Sequence, residues 1–303
     1  MVGAAEEPRG GLKVLSVLVP GGSGQLGQDI AALAPDSATP SSAELNVRDT
    51  GQVVAAVTEL ADRARAAGTS PVVINAAAYT AVDAAETDEE RAFAVNADGP
   101  RVLAAACSSR GVPLIHVSTD YVFAGDATSP YEVTDLLGPL NAYGRTKAAG
   151  EDAVLGSGAR SWIVRTSWVY GKTGSNFVKT MARLEKEREE LSVVDDQTGA
   201  PTWSRDLAAG LLELAGRVAA GEGPSQRVLH CTGGGSTTWC GFAQAIFAEL
   251  GADPARVKPC TTAEFPRPAK RPAYGVLSNA SWREAGLTPL RDWTDALKAY
   301  FAS

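Results

Sequence analysis

Short apolar runs punctuate the chain at Val14 to Val19, Val72 to Ile74, Leu114 to Val117 and Trp162 to Val164, each of strand length. The Ala-rich stretches between them, Gln52 to Ala67 and Glu89 to Ser109, space their apolar positions as helices do. Strands that alternate with helices in this way predict an α/β fold, a doubly wound parallel sheet with helices on both faces. After about Gly171 the rhythm changes: a charged amphipathic segment, Arg183 to Glu190, precedes a Pro- and Arg-rich stretch, Phe265 to Pro272. That change predicts a smaller C-terminal lobe. The run from Glu185 to Glu190 reads as a solvated helix face laced with i,i+4 ion pairs.

Composition narrows the class. With 303 residues, 45% of them apolar and 21% charged, the chain has the makeup of a soluble globular protein that buries a substantial core. No apolar run approaches the roughly 20 residues of a membrane-spanning helix. Residues 1–11 carry Glu6, Glu7 and Pro8 among glycines, which predicts a loose extension and no signal peptide. The four cysteines, Cys107, Cys231, Cys240 and Cys260, include no C-x-x-C pair. Neither a zinc site nor a redox motif is therefore expected, and reduced thiols in a cytoplasm fit best. A formal charge of −7 disfavours nonspecific binding to nucleic acid, so any phosphate has to be met by local groups.

Such local groups follow the first strand. Pro20-Gly21-Gly22-Ser23-Gly24-Gln25-Leu26-Gly27 places glycines at 21, 24 and 27 ahead of a helix beginning near Gln28. Gly21, Gly24 and Gly27 let the chain turn tightly and bring backbone N–H groups and a helix N-terminus up to a pyrophosphate, the signature of a Rossmann-type dinucleotide site. An ordinary Gly-rich turn is the plain alternative. The acidic residue that would hold the ribose of NAD is missing from the stretch Ala38 to Ser42, and so is an Arg for the 2′-phosphate of NADP. Ser41 and Ser42 are left to hydrogen-bond either group, so NADH and NADPH are both candidate cofactors, with weak discrimination expected.

Tyr143 and Lys147 form a Y-x-x-x-K pair whose spacing puts both on one helix face. A neighbouring ammonium stabilises phenolate and makes the phenol a usable proton donor to a carbonyl. A tyrosine lying along a lysine stem would leave the same trace. The segment Ser118-Thr119-Asp120-Tyr121-Val122-Phe123 at the carboxyl end of the third strand favours chemistry, because open α/β sheets bind ligands there. Thr119 is placed to hydrogen-bond a substrate carbonyl beside Tyr143, with Asp120 next to it. His116 and His230 read as core or strand-end residues.

Together these residues resemble the extended short-chain dehydrogenase/reductase family over nearly the whole chain. The likeness rests on the glycine loop, Tyr143 and Lys147, and on the segments Asn75 to Glu86, Ser118 to Phe123, Val164 to Gly171, Asp196 to Thr202 and Arg271 to Tyr274. It implies a Rossmann-type domain over residues 12–171 with part of 203–232, and a substrate-binding lobe from 172–202 and 233–303. It implies that Gly24, Gln25 and Leu26 line the pyrophosphate and that Ala76, Ala77, Ala78 and Tyr79 run along the cofactor. Tyr143 and Lys147 would touch the nicotinamide ribose, and Thr119, Asp120 and Trp168 the substrate. The implied reaction is reduction of the C4 ketone of a dTDP-linked 6-deoxysugar, 4-dehydro-β-L-rhamnose, by NAD(P)H.

Two alternatives stay open: another nucleotide-linked 4-keto-6-deoxysugar as substrate, or a non-catalytic relative that keeps the fold for binding. Dehydratases that resemble this family carry an Asp-Glu pair after the Thr; Asp120-Tyr121 lacks the second carboxyl. Some members dimerise through magnesium held by glutamates. The matching positions here are Asp29, Arg205 and the C-terminus, so no metal is expected and the chain should be a monomer or weak homodimer.

Overall fold

The computed structural model describes residues 15–303; the expected loose extension, 1–11, lies outside the described residues. Four strands, β1 (Leu15–Leu18), β2 (Ser70–Asn75), β3 (Leu114–Thr119) and β4 (Ser161–Thr166), and a fifth at Val228–His230 form one sheet in that order. Every pairing in it is parallel, with Val17 opposite Val72, Ile74 opposite Ile115 and Val117 opposite Val164. Helices cover both faces, which makes this a Rossmann-type α/β fold.

Successive residues along the strands point to opposite faces of that sheet, and residues two apart share a face. Val17, Val72, Ile74, Ile115 and Val164 bury one face against Ile30 of α1 (Gln25–Leu33) and against Leu207, Leu211 and Leu214 of the helix Ser204–Ala220. Leu18, Val73, Leu114 and Ile163 bury the other against Val53, Val57 and Leu60 of α2 (Thr50–Ala67) and Leu103 of the helix Gly99–Arg110. Because both faces are covered, the strands read as continuous apolar runs.

Beyond β1 the chain returns to the sheet only at Ala38, whose N–H donates to Val17 O at 2.8 Å and whose carbonyl accepts from Val19 N at 2.7 Å. The stretch from Glu89 to Ser109 is one continuous helix in the sequence pattern. In the structure it is helical in three pieces, with a π-turn at Ala94–Asp98 between Glu89–Phe93 and Gly99–Arg110. The wider turn carries Asn96, a buried side chain that reaches sideways to the backbone of Tyr79.

A third, aromatic-rich cluster lies apart from the sheet and joins Tyr170, Trp203, Phe242, Phe247 and Tyr300. The charged run is less uniform than its pattern suggests. The helix Phe177–Glu187 holds an i,i+4 pair between Arg183 and Glu187, but Glu185 turns to Arg256 at 2.7 Å and tethers the helix to a distant segment.

Candidate active site

The glycine loop closes against the carboxyl end of β2. Gly21 takes φ +85°, and a Cβ there would stand 2.7 Å from Ala77 N, so only glycine lets the loop lie on the alanine strip. Helix α1 begins at Gln25, a turn earlier than the expected start near Gln28. The reason is that Gly24 already serves as N-cap, its carbonyl accepting from Gln28 N at 3.0 Å, which puts Gly27 inside the first turn. The N–H groups of Gln25, Leu26 and Gly27 are thus first-turn donors, free of intrahelical partners.

A cavity of about 390 Å³ runs from this loop over Ala76, Ala77, Ala78 and Tyr79. Asn96 fixes the strip, accepting from Tyr79 N at 2.8 Å and donating to Tyr79 O at 3.1 Å. The cavity separates the two serines expected at the ribose. Ser42 lines it, whereas Ser41 does not, because its N–H and hydroxyl both bind the Glu44 carboxylate at 2.8 Å. Arg48 and Arg91 line the same cavity. The sequence showed no cation in the stretch Ala38 to Ser42; the loop folds back and brings one from six residues further on.

A second cavity, about 600 Å³, shares Gly21, Ser23, Gly24, Ala76 and Ala78 with the first, and so continues it. Gln25, Leu26 and Gly27 lie along it, and at its far end it is lined by Thr119, Asp120, Tyr143, Lys147, Trp168 and Trp239. Tyr143 and Lys147 stand one turn apart on the helix Ala142–Leu155. Asn141 caps that helix by accepting from Gly144 N at 2.8 Å, and Glu86 accepts from Ala142 N at 2.7 Å. Lys147 Nζ donates to Val117 O at 2.7 Å, and burial pushes its ammonium down to about 8. Burial raises the Tyr143 phenol, against which the Thr119 hydroxyl works.

Thr119 ends β3 and donates to Asp120 Oδ1 at 2.9 Å. The other carboxylate oxygen, Asp120 Oδ2, is buried without a partner, and burial pushes the group up to about 7. Trp168 adopts φ +44°, a left-handed backbone rare outside glycine, and its ring stacks on Trp239 with centroids 3.5 Å apart and planes 8° from parallel. Trp239, Asn96 and Arg91 were not singled out from the sequence, because they belong to no motif and only the fold brings them to the cavities or the strip that lines them.

Both histidines are buried. His230 is pushed down to about 3 by burial. His116 meets Lys147, a contact the strand pattern does not reveal. Among the described residues no group of three His, Cys, Asp or Glu side chains is gathered to hold a metal; Asp29 instead accepts from the Ser204 hydroxyl. Also among the described residues, no helix is long and apolar enough to cross a membrane.

The residues fit a nicotinamide dinucleotide: bare Gly21 lets the loop lie on Ala76 and Ala77, and the small side chains of Ala76 to Ala78 line the groove beside the helix N-terminus. With a tyrosine and a lysine one helical turn apart at the carboxyl ends of the central strands, the fold and site define an NAD(P)-dependent oxidoreductase of the extended short-chain dehydrogenase/reductase class. Residues 15–303 match the family described as RmlD substrate binding domain, and the chain belongs to this family of dTDP-4-dehydrorhamnose reductases.

The dTDP-4-dehydrorhamnose reductase of Mycobacterium tuberculosis is 52% identical over 237 residues, 77% of this chain and 76% of that one. The dTDP-4-keto-6-deoxy-D-glucose reductase of Streptomyces niveus is 44% identical over 289 residues, 94% of this chain and 96% of that one. A crystal structure of the Bacillus anthracis dTDP-4-dehydrorhamnose reductase in complex with NADP superposes with a TM-score of 0.87 at 36% identity, covering 95% of this chain and 98% of that one.

Proposed function

We propose that this protein reduces the C4 ketone of dTDP-4-dehydro-β-L-rhamnose to give dTDP-L-rhamnose, using NAD(P)H and Tyr143 as proton donor. The observation that carries this reading is the convergence of Tyr143, Lys147 and Thr119 on one cavity continuous with the glycine-loop groove. The dihydronicotinamide, when bound, supplies the hydride. Tyr143 gives its phenolic proton to the oxygen on which charge develops, Lys147 favours the phenolate left behind, and Thr119 orients the ketone.

Gly21, Gly24, Gln25, Leu26 and Gly27 would hold the pyrophosphate through their backbone N–H groups, with Ala76 to Tyr79 along the dinucleotide and Ser42 and Arg48 at its adenosine end. Asp120 and Trp168 would face the sugar nucleotide. In this reading residues 12–171, with part of 203–232, bind the cofactor, and 172–202 and 233–303 bind the substrate. A second carboxyl beside Asp120 is replaced by Tyr121, which leaves elimination of water without its extra acid.

The reading is tested with dTDP-4-dehydro-6-deoxyglucose, NADPH or NADH, and a 3,5-epimerase that is included or left out. Cofactor oxidation that depends on the epimerase supports the rhamnose assignment. Oxidation without it favours a second reading, a reductase of the unepimerised 4-keto sugar, toward which the name of the Streptomyces niveus relative points. No oxidation in any mixture would leave only a binding role for the fold.

A further inference from the structure

His116 takes no part in the steps above, yet it lies directly behind Lys147. It belongs to β3, is wholly buried and is touched on both ring nitrogens. Asn75 Nδ2 approaches Nδ1 at 3.0 Å, and Lys147 Nζ approaches Nε2 at 3.4 Å. The orientation of the Asn75 amide is fixed independently, because its Oδ1 accepts from Ala77 N at 3.1 Å. Turned over, it would set its NH₂ against that N–H.

Asn75 therefore donates to the ring, and Nδ1 must accept. A neutral imidazole that accepts at Nδ1 carries its proton on Nε2. That N–H is aimed at the Lys147 nitrogen. An ammonium would set donor against donor, whereas a neutral amine offers its lone pair to Nε2–H and still donates to Val117 O. We propose that His116 is a positioning residue for Lys147: Asn75 holds the ring as the Nε2–H tautomer, which presents a donor to the lysine and favours its neutral amine.

The proposal rests on the reading of Lys147 as partner of Tyr143. A less basic Lys147 returns a proton to the Tyr143 phenolate more readily after each turnover, and it sets the upper pH at which the pair works. The other groups facing Lys147 are few. On its own helix Glu151 raises it, and Tyr143 stands one turn before it. From β4 Arg165 holds Glu151 at 2.6 Å and offsets that carboxylate, while from the end of β3 Asp120 faces the same cavity. Burial keeps His116 itself neutral, its imidazolium strongly disfavoured.

The chain has two histidines, and they serve as mutual references. His230 Nε2 faces Arg165 Nη1 at 3.4 Å and must accept, so its proton belongs on Nδ1. Long-range ¹⁵N–¹H correlation on histidine-labelled protein at neutral pH should show one ring of each tautomer, and the His230→Asn chain should keep the Nε2–H pattern. An Nδ1–H or doubly protonated His116 overturns the proposal without reference to activity.

The pH profile of kcat supplies the second readout. Asn75→Asp offers a carboxylate to both Ala77 N and Nδ1–H, shifts the ring to the Nδ1–H tautomer so that Nε2 accepts from Lys147, and should move the basic limb up by about one pH unit. The new charge alone also raises Lys147, so the same change is made with His116→Leu, where no ring remains to change tautomer. There the shift should be less than half as large. Equal shifts in the two backgrounds, or none in either, overturn the proposal. Failure of the underlying reading shows elsewhere, in a Lys147→Met chain that retains its kcat.

Discussion

Gly144 passes so close to the carbonyl oxygen of Tyr121 that a methyl group at position 144 would overlap it, and Pro139 closes the same side at 2.9 Å. This approach sets how near the start of the Tyr143 helix stands to the strand end that carries Thr119 and Asp120. Gly144→Ala has to push the helix away or distort the turn at Asp120–Val122, since the opposing atoms belong to the Tyr121 backbone and the rigid Pro139 ring and cannot rotate aside. A stability loss of about 1–3 kcal/mol is expected from overpacking. A fall in kcat of about 10-fold or more should accompany it as Tyr143 loses its reach. Denaturant unfolding and steady-state kinetics check this, and a variant unchanged in both would show the glycine to be incidental.

Tyr143→Phe isolates the chemistry from the packing. The Tyr143 ring meets Tyr121 edge-on with centroids 5.6 Å apart, a contact that phenylalanine preserves. Folding and cofactor binding should therefore stay near normal, while kcat drops by about 10² or more, since the change removes only the proton donor of the proposed mechanism. Near-normal turnover would remove Tyr143 from the mechanism.

What the sequence made legible is what local spacing encodes. Gly21, Gly24 and Gly27 lie within one loop, Tyr143 and Lys147 within one helical turn, and Thr119 and Asp120 at one strand end, so adjacency in the chain becomes adjacency in space. The α/β alternation was equally plain, because each buried strand is a contiguous apolar run. The adenosine end of the groove was not, since Arg48 and Arg91 reach it from a loop and a helix whose sequences carry no motif. Ser41 stands apart from that cavity for a related reason: its spacing alone does not reveal the competing carboxylate of Glu44. His116 reads as a strand residue in an apolar run; its contact with Asn75 depends on the register between β2 and β3, and its contact with Lys147 on how the helix Ala142–Leu155 packs beside β3.

Cofactor choice is predicted to turn on Arg48, which lines the cavity with Ser42. The expectation of weak discrimination rested on a lack of charge near Ser42, and Arg48 at the same cavity removes that basis. A guanidinium there pairs with a 2′-phosphate and gains nothing comparable from a ribose hydroxyl. Arg48→Ala should lower kcat/KM for NADPH by about 10-fold or more and change the value for NADH by less than about threefold. Equal losses with both cofactors would mean that Arg48 shapes the loop and does not read the phosphate.

The unpartnered oxygen of Asp120 makes a prediction about stability against pH. Burial raises the carboxyl from its ordinary 3.8 to about 7, with the Thr119 hydroxyl working in the opposite direction. Between those two values the unfolded chain has released the proton and the folded chain still holds it, so rising pH favours unfolding across that window. The penalty is absent below about pH 4, grows through the window to at most about 4 kcal/mol, and is constant above it. Asp120→Asn has a similar shape but no charge to bury, and all other carboxylates are common to the two chains and cancel in the comparison. Urea unfolding of both without ligand, at several pH values from 5 to 8, should therefore show the variant gaining on the parent as pH rises, with the gain levelling off above about 7. A difference that is flat with pH, or that shrinks as pH rises, would mean that Asp120 is ionised in the folded protein and that its second oxygen finds a hydrogen-bond partner.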